Sequence, residues 1–437
     1  MQTEKNKRAE GLLSFIEKSP SAFHAIKNIA YELESNGFVR LSEKEPWQIS
    51  AGKYFVTRNN SSIISFIIPK SDFSSFRITA SHSDSPCFKI KENPEIKTEG
   101  ITKLNVEKYG GMILAPWFDR PLSVAGRVIV SQKRGDEKIV LKEKLVNIDK
   151  NLLMIPNLAV HMDRETNEGR KINVQAEMMP VISLGENFSL RKIIAQETGT
   201  DEDKIVSHDL FLYNRDKGTI WGASGEFLGS PRLDDLECAW TTLAGFLESS
   251  KMSEAGVFCV FDNEEVGSSS MQGAAGTFLR DTLRRISDAL GKTCEEHRIL
   301  LAKSFMLSAD NAHALHPNYA EKADPVNRPK INGGVVIKFN AAQKYTTDAV
   351  SAAVFKEICK KAEVPYQIFT NNSNISGGST LGNISLSQVS VPCVDIGLAQ
   401  WAMHSPFESA GVLDADFMIR AVKSFYEAEI EIETKID

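Results

Sequence analysis

The chain has 437 residues, 42% hydrophobic and 25% charged, a formal net charge of −6 and no basic run, which argues for two soluble domains and against a nucleic-acid partner. No apolar run approaches the roughly 20 residues of a membrane span, and the charged start MQTEKNKRAEGLL lacks a signal peptide's apolar stretch. Six scattered cysteines form neither a CxxC pair nor a disulfide framework, so the expectation is a reduced, cytoplasmic protein.

In chain order, SPSAFHAIKNIAYELESNGF predicts a helix, with Ser19 or Ser21 as its cap and Gly37 as its stop. Strands follow at YFVTR, SIISFIIP and FRITASHSD, the first two joined by an Asn-Asn-Ser turn. From about Glu92 to Gly229 the pattern is short β-like pieces, LNVEKYGGMIL, GRVIVSQ, KIVLKEKLVNI and HDLFLYN, with LRKIIAQETG as the main helix. After Pro231 strand and helix alternate: DDLECAWTTLAGFLESS, GVFCVFDNEE, GTFLRDTLRRISDALG, SFMLSADNAHA, GGVVIKFNA, DAVSAAVFKEICKKAEV, VPCVDIGLA and DADFMIRAVKSFYEAEIEIE. Such alternation predicts an α/β domain whose mixed, largely parallel sheet is sandwiched by helices. That domain takes 1–91 and 230–437, and 92–229 is a β-rich insertion.

Ligands of open α/β sheets sit at the carboxyl ends of strands. Five polar clusters follow strand-like runs there: SHSDSP with His82 and Asp84, RLDDLE with Asp234 and Asp235, DNEEVGS with Glu264 and Glu265, SADNAHALHP with Asp310, His313 and His316, and AMHSPFE with His404 and Glu408. Alone, each has an ordinary reading: a core histidine, a helix cap at Asp234, a solvated strand end at Glu264–Glu265, a capped turn at Asp310. Together they supply imidazole and carboxylate donors of the kind that bind zinc. Two metals about 3.5–4 Å apart, sharing a carboxylate, would also leave a glutamate free as base.

The motifs SHSDSPCFKIK, IPNLAVHMDRETNEG, GEFLGSPRLDDLE, DNEEVGSSSMQGA, SADNAHALHPNY, IKFNAAQKYTTDAV and LAQWAMHSPFE resemble the aspartyl aminopeptidase family, which includes vacuolar aminopeptidase I. These are co-catalytic di-zinc exopeptidases, and the similarity runs over nearly the whole chain. The resemblance implies two divalent ions per subunit, zinc first with manganese or cobalt as alternatives. It makes His82, Asp234, Glu265, Asp310 and His404 the metal ligands, Asp234 bridging, with Asp84 orienting His82. Glu264 becomes the general base. The family's motif has Asn after the bridging Asp, where this chain has Asp235.

The resemblance further implies a zinc-exopeptidase-like fold in which the insertion mediates dimers, assembled into a tetrahedral dodecamer. His161 of the AVH motif would reach a neighbouring subunit's active site. Lys338 would meet an acidic substrate side chain, and Tyr345 would donate to the developing oxyanion. The implied activity is release of N-terminal residues, Asp or Glu first, from peptides. A broader or neutral specificity and a related di-metal deacylase are the alternatives.

Overall fold

In the computed structural model, which describes residues 2–70, 72–133 and 138–433, strands from both ends of the chain meet in one nine-stranded mixed sheet. Its centre is Phe76–His82, with Ala255–Phe261 and Phe305–Ala309 parallel on either side. Cys393–Gly397 continues the parallel run beside Phe305–Ala309. The outer strands Ser62–Ile68 and Val335–Phe339 pair antiparallel to this central group. Every residue of Phe76–His82 and Ala255–Phe261 is buried, as a parallel sheet covered on both faces requires. Alternate side chains feed two cores. Phe258 and Val260 pack with Leu33, Phe246 and Phe425, whereas Val257, Cys259 and Phe261 pack with Phe76, Phe278 and Ile286.

The register decides where the polar clusters lie. Phe261 pairs with His82, and Ser308 with both Ala80 and Asp395, so the central strands end side by side. The segments that follow them, beginning at Ser83, Asp262 and Asp310, therefore emerge at one edge.

The expected helices are present as Ala22–Ser35, Leu190–Thr198, Leu233–Glu248, Phe278–Ala289, Ala349–Lys361 and Asp414–Tyr426. Four further α-helices, Gln2–Glu17, Val174–Glu177, Cys294–Ala302 and Leu381–Ser385, have no counterpart among the expected ones. Gln2–Glu17 is largely polar, and its apolar residues Ala9, Leu12 and Ile16 join Leu233 and Leu236 in a small cluster. Cys294–Ala302 carries a Thr293–Glu296 capping box, a start signal legible in the sequence. Ser21 stands at the N-cap of Ala22–Ser35, but its hydroxyl bonds the His24 imidazole at 2.8 Å instead of capping.

A six-stranded antiparallel sheet runs between Cys87 and Asn214 around its own core of Phe88, Val106, Trp117, Val124 and Leu210. Its first strand, Cys87–Thr98, starts ahead of residue 92. Thr219–Trp221 and Phe227–Ser230 belong to a separate five-stranded sheet with Glu408–Gly411, Ala399–Trp401 and Ala312–His313. Arg127 ties the six-stranded sheet to the hairpin at Asn59, donating to its carbonyl and its side-chain oxygen at 3.0 Å each.

Candidate metal centre

Asp234 follows Arg232, which is held in the left-handed region at φ 58°, and is joined to Asp235 by a cis peptide. It does not cap the helix Leu233–Glu248. Its carboxylate lies between two imidazoles instead: Oδ1 is 3.4 Å from His82 Nε2, and Oδ2 is 3.3 Å from His404 Nε2. Glu265 Oε2 is 3.5 Å from the same His404 nitrogen. Donor atoms of His82, Asp234, Asp235 and Asp310 converge within 4.8 Å of one another, as do those of Asp234, Glu265 and His404, and those of His82, Glu264 and Glu265. Asp234 thus belongs to two adjoining groups.

Asp235 Oδ2 accepts the His82 backbone N–H at 3.0 Å and lies 4.0 Å from His82 Nε2. Glu408 fixes the opposite side, accepting the N–H of Asp234 at 3.1 Å and of His404 at 2.8 Å. The AMHSPFE motif carries Glu408 without a signal for this role, which depends on segments 174 residues apart.

The glutamate pair does not leave the strand directly. Ala255–Phe261 ends first, Asn263 turns the chain at φ 62°, and Glu264–Val266 forms one 3₁₀ turn. Asp84 holds that turn: Oδ1 accepts the Glu264 N–H and Oδ2 the Glu265 N–H, both at 3.2 Å. Asp84 Oδ1 also lies 3.4 Å from His82 Nδ1, so one carboxylate orients three members of the cluster. The inserted sheet contributes here. Tyr109 donates to Asp84 Oδ2 at 2.8 Å and accepts from Asn263 at 2.8 Å. Gly110, at φ 79°, packs so closely that an added Cβ would lie 3.1 Å from the Glu265 Cβ. Nothing in the sequence marked Tyr109 as part of the site.

The electrostatics are those of crowded, buried acids. Burial pushes Glu264 and Glu408 up to about 8, raises Asp235 and Glu265 well above their ordinary values, and raises Asp310. Burial also opposes the charge on Asp234, but its contacts with His404 and His82 override this and hold it below the usual range. The imidazoles are raised in turn: burial disfavours their charge, and Asp235, Asp234 and Asp84 outweigh it at His82, as Asp234 and Glu408 do at His404.

Asp234 Oδ1, Asp235 Oδ1 and Glu265 Oε1 are buried acceptors without a hydrogen-bond donor. Buried acceptors of this kind need a partner, and a mixed imidazole–carboxylate set fits a divalent ion such as zinc.

A cavity of about 240 Å³ opens over the cluster, lined by His82, Asp234, Glu264, Glu265, Asp310 and His404 on one side and by Lys338, Tyr345, Phe369 and Thr380 on the other. Lys338 is buried and already engaged, donating to the Asp310 and Asn311 carbonyls at 2.8 and 3.3 Å and lying 3.3 Å from Asp310 Oδ2. His313 lines the same cavity. His316 does not; it sits in a turn where its Nδ1 accepts from Asn318 N–H. His161 is exposed in the 160–163 turn and is not among the cavity's lining residues.

The profile of the aminopeptidase I zinc metalloproteases (M18) matches residues 15–426. A Clostridium acetobutylicum protein named "Probable M18 family aminopeptidase 2" is 47% identical over 429 residues, covering 96% of this chain and 98% of its own. A Pseudomonas aeruginosa protein of that name is 40% identical over 430 residues, 95% and 97% of the two chains. Among solved structures, a chain in the cryo-EM structure of the Ape4 and Nbr1 complex superposes with a TM-score of 0.93 at 36% identity, covering 98% of this chain and 86% of that one. Yeast aminopeptidase 1 superposes with a TM-score of 0.85 at 26% identity and 97% coverage of each chain. With its acids and histidines gathered at one sheet edge, the chain belongs to the M18 family of aminopeptidase I zinc metalloproteases.

Proposed function

We propose that this M18 aminopeptidase removes single N-terminal residues from peptides, acidic ones first, using two divalent ions. The observation that carries this is Asp234, with one carboxylate oxygen toward His82 and the other toward His404. His82, Asp234 and Asp310 would hold one ion; Asp234, Glu265 and His404 would hold the other. Zinc fits the donor set, with manganese or cobalt as alternatives. When bound, such ions polarise the scissile carbonyl and make water easier to deprotonate.

Glu264 lines the cavity and its carboxylate takes the proton of the attacking water, then returns it to the leaving nitrogen. Burial raises the Tyr345 hydroxyl above its ordinary value, so it stays protonated and can donate to the oxyanion. At about 240 Å³ the cavity has room for a single residue, as release of one N-terminal residue needs.

Lys338 supports the acidic preference, being the lysine that lines this cavity. A neutral preference is the second reading, because its ammonium is already bonded to two carbonyls and faces Asp310, while Phe369, Tyr345 and Met403 line the same space.

Residues 92–229 are proposed as the dimerisation insertion within a catalytic domain of 1–91 and 230–437. Leu158, Val160 and Met162 are 51, 52 and 74% exposed around His161, as an oligomer contact would explain. The Saccharomyces aminopeptidase 1 structure is a dodecamer, with a TM-score of 0.84 at 26% identity. We extend dodecameric assembly to this chain, and add tetrahedral symmetry and a cytoplasmic location to the proposal. Among the described residues no helix is long and apolar enough to cross a membrane.

The test is an aminoacyl anilide panel run with zinc, manganese and cobalt beside a set of N-acyl amino acids. Cleavage of Asp and Glu anilides ahead of Leu and Ala is expected. Preference for the N-acyl compounds would replace the reading with a deacylase, and a Leu or Ala preference would replace acidic with neutral specificity.

A further inference from the structure

Asp395 lies mid-strand in Cys393–Gly397, in the central part of the large sheet, and its side chain is sealed from solvent. A buried carboxylate is costly unless its lone pairs are met. Here Oδ1 accepts the hydroxyls of Ser308 and Thr380, each at 2.7 Å. Oδ2 accepts the Thr346 backbone N–H at 2.5 Å and its hydroxyl at 2.7 Å. The Asp395 N–H in turn donates to the Thr347 hydroxyl at 2.9 Å.

These partners come from separate segments with a common destination. Thr346 directly follows Tyr345 and leads into the helix Ala349–Lys361; Thr380 follows Ser379 and leads into Leu381–Ser385. Tyr345, Gly378, Ser379 and Thr380 all line the cavity above the metal centre. Ser308 lies two residues ahead of Asp310 on the strand paired with Asp395. At Gly382 a Cβ would fall 2.6 Å from Ser308 Oγ and 3.0 Å from Asp395 Oδ1, so the short helix is seated directly against this group.

We propose that Asp395 is the positioning residue of the substrate cavity, setting through Thr346 and Thr380 where the Tyr345 and Ser379 walls stand and so which N-terminal side chain fits between them. It touches no reacting atom. The proposal rests on the aminopeptidase reading above. In Asp395→Asn the amide oxygen can still accept the Thr346 N–H. The NH₂ then faces the hydroxyls of Ser308 and Thr380, which must turn around to accept. In Thr380→Val one donor is lost at nearly constant volume; Thr380→Ser keeps the hydroxyl.

The experiment measures kcat and KM for Asp, Glu, Leu and Ala anilides on the zinc-loaded full chain, with amide hydrogen exchange over 343–348 and 376–383. Thr380→Val and Asp395→Asn should raise KM about tenfold for the preferred substrate with kcat within about threefold. The Asp-to-Leu selectivity ratio should shift, both segments should exchange faster, and Thr380→Ser should restore all three. Uniform loss of activity with an unchanged ratio and unchanged exchange in folded Thr380→Val overturns the proposal. If Asp395→Asn does not fold, Thr380→Val decides alone. A wild-type chain that cleaves none of the anilides defeats the aminopeptidase reading instead, and the exchange data still judge Asp395.

Discussion

Glu264 and Glu265 are neighbours in sequence with different surroundings. Both line the cavity, but Glu265 also lies against His404 at 3.5 Å, and burial raises Glu264 to about 8. Replacing Glu264 by Gln removes a proton acceptor and leaves the His404-facing group intact. That variant should bind its full complement of zinc and lose about 10²- to 10⁴-fold in kcat. Elemental analysis beside steady-state rates checks both halves, and lost zinc would make Glu264 a ligand. Asp84 acts through others, facing His82 Nδ1 and accepting both glutamate N–H groups. Asp84→Asn should weaken zinc binding about 10- to 100-fold, read by competition with a chelating dye. Of these roles, the donor types were legible in SHSDSP and DNEEVGS. The 3₁₀ turn that lets one Asp84 carboxylate hold both glutamates was not, because it depends on a contact between segments about 180 residues apart.

At the level of elements, the inserted sheet is part of the site's scaffold. The strand Ile101–Tyr109 delivers the Tyr109 hydroxyl to Asp84, and the next residues follow His404 closely, with Ile113 N–H bonded to the His404 carbonyl at 3.1 Å. Tyr109→Phe deletes two hydrogen bonds, the one donated to Asp84 and the one accepted from Asn263, and should cost about 1.5–3 kcal/mol of stability, read by denaturant melts. It should also lower zinc affinity in the same direction as Asp84→Asn; unchanged zinc binding would confine the insertion to a packing role. The strand-rich composition of this region was readable from its short alternating segments. That its first strand begins at Cys87 and that Thr219–Ser230 joins another sheet was not, since pairing partners at 399–411 lie far along the chain.

For the whole molecule, charge sets how metal and pH act together. Burial raises Glu237, Glu264 and Glu408 to about 8, whereas the unfolded chain ionises them near the ordinary 4.5. Between those values the folded state keeps protons that the unfolded state sheds, so stability present at low pH is lost as pH rises toward 8. The raised His82 and His404 act in the same sense. Metal-free protein should therefore melt lower at pH 8.5 than at pH 6. The gap between zinc-loaded and chelated protein should widen over that range, because ions bind deprotonated ligands. A constant gap in scanning calorimetry would reject this account. Assembly has its own test: His161→Ala and Glu264→Gln subunits, each inactive alone, should regain activity when mixed oligomers form, because an intact base and an intact His161 then meet at one site. No recovery after co-refolding would keep His161 out of its neighbour's site.

The class of chemistry and the alternation of strands and helices are legible in the residues alone, because donor types and hydrophobic periodicity are local properties. The sequence carried five clusters, and an Asp235 where the resembled motif has Asn. Only tertiary structure placed Asp234 between His82 and His404 and turned Asp235 to the His82 backbone. Only it engaged the Lys338 ammonium with Asp310 and its neighbour's carbonyl, and gathered Thr346 and Thr380 on Asp395. The physical reason is register. Parallel pairing of four central strands aligns their ends to within a residue, and that alignment, a sum of many weak backbone and packing terms spread over the whole sheet, converts distant short motifs into one cluster.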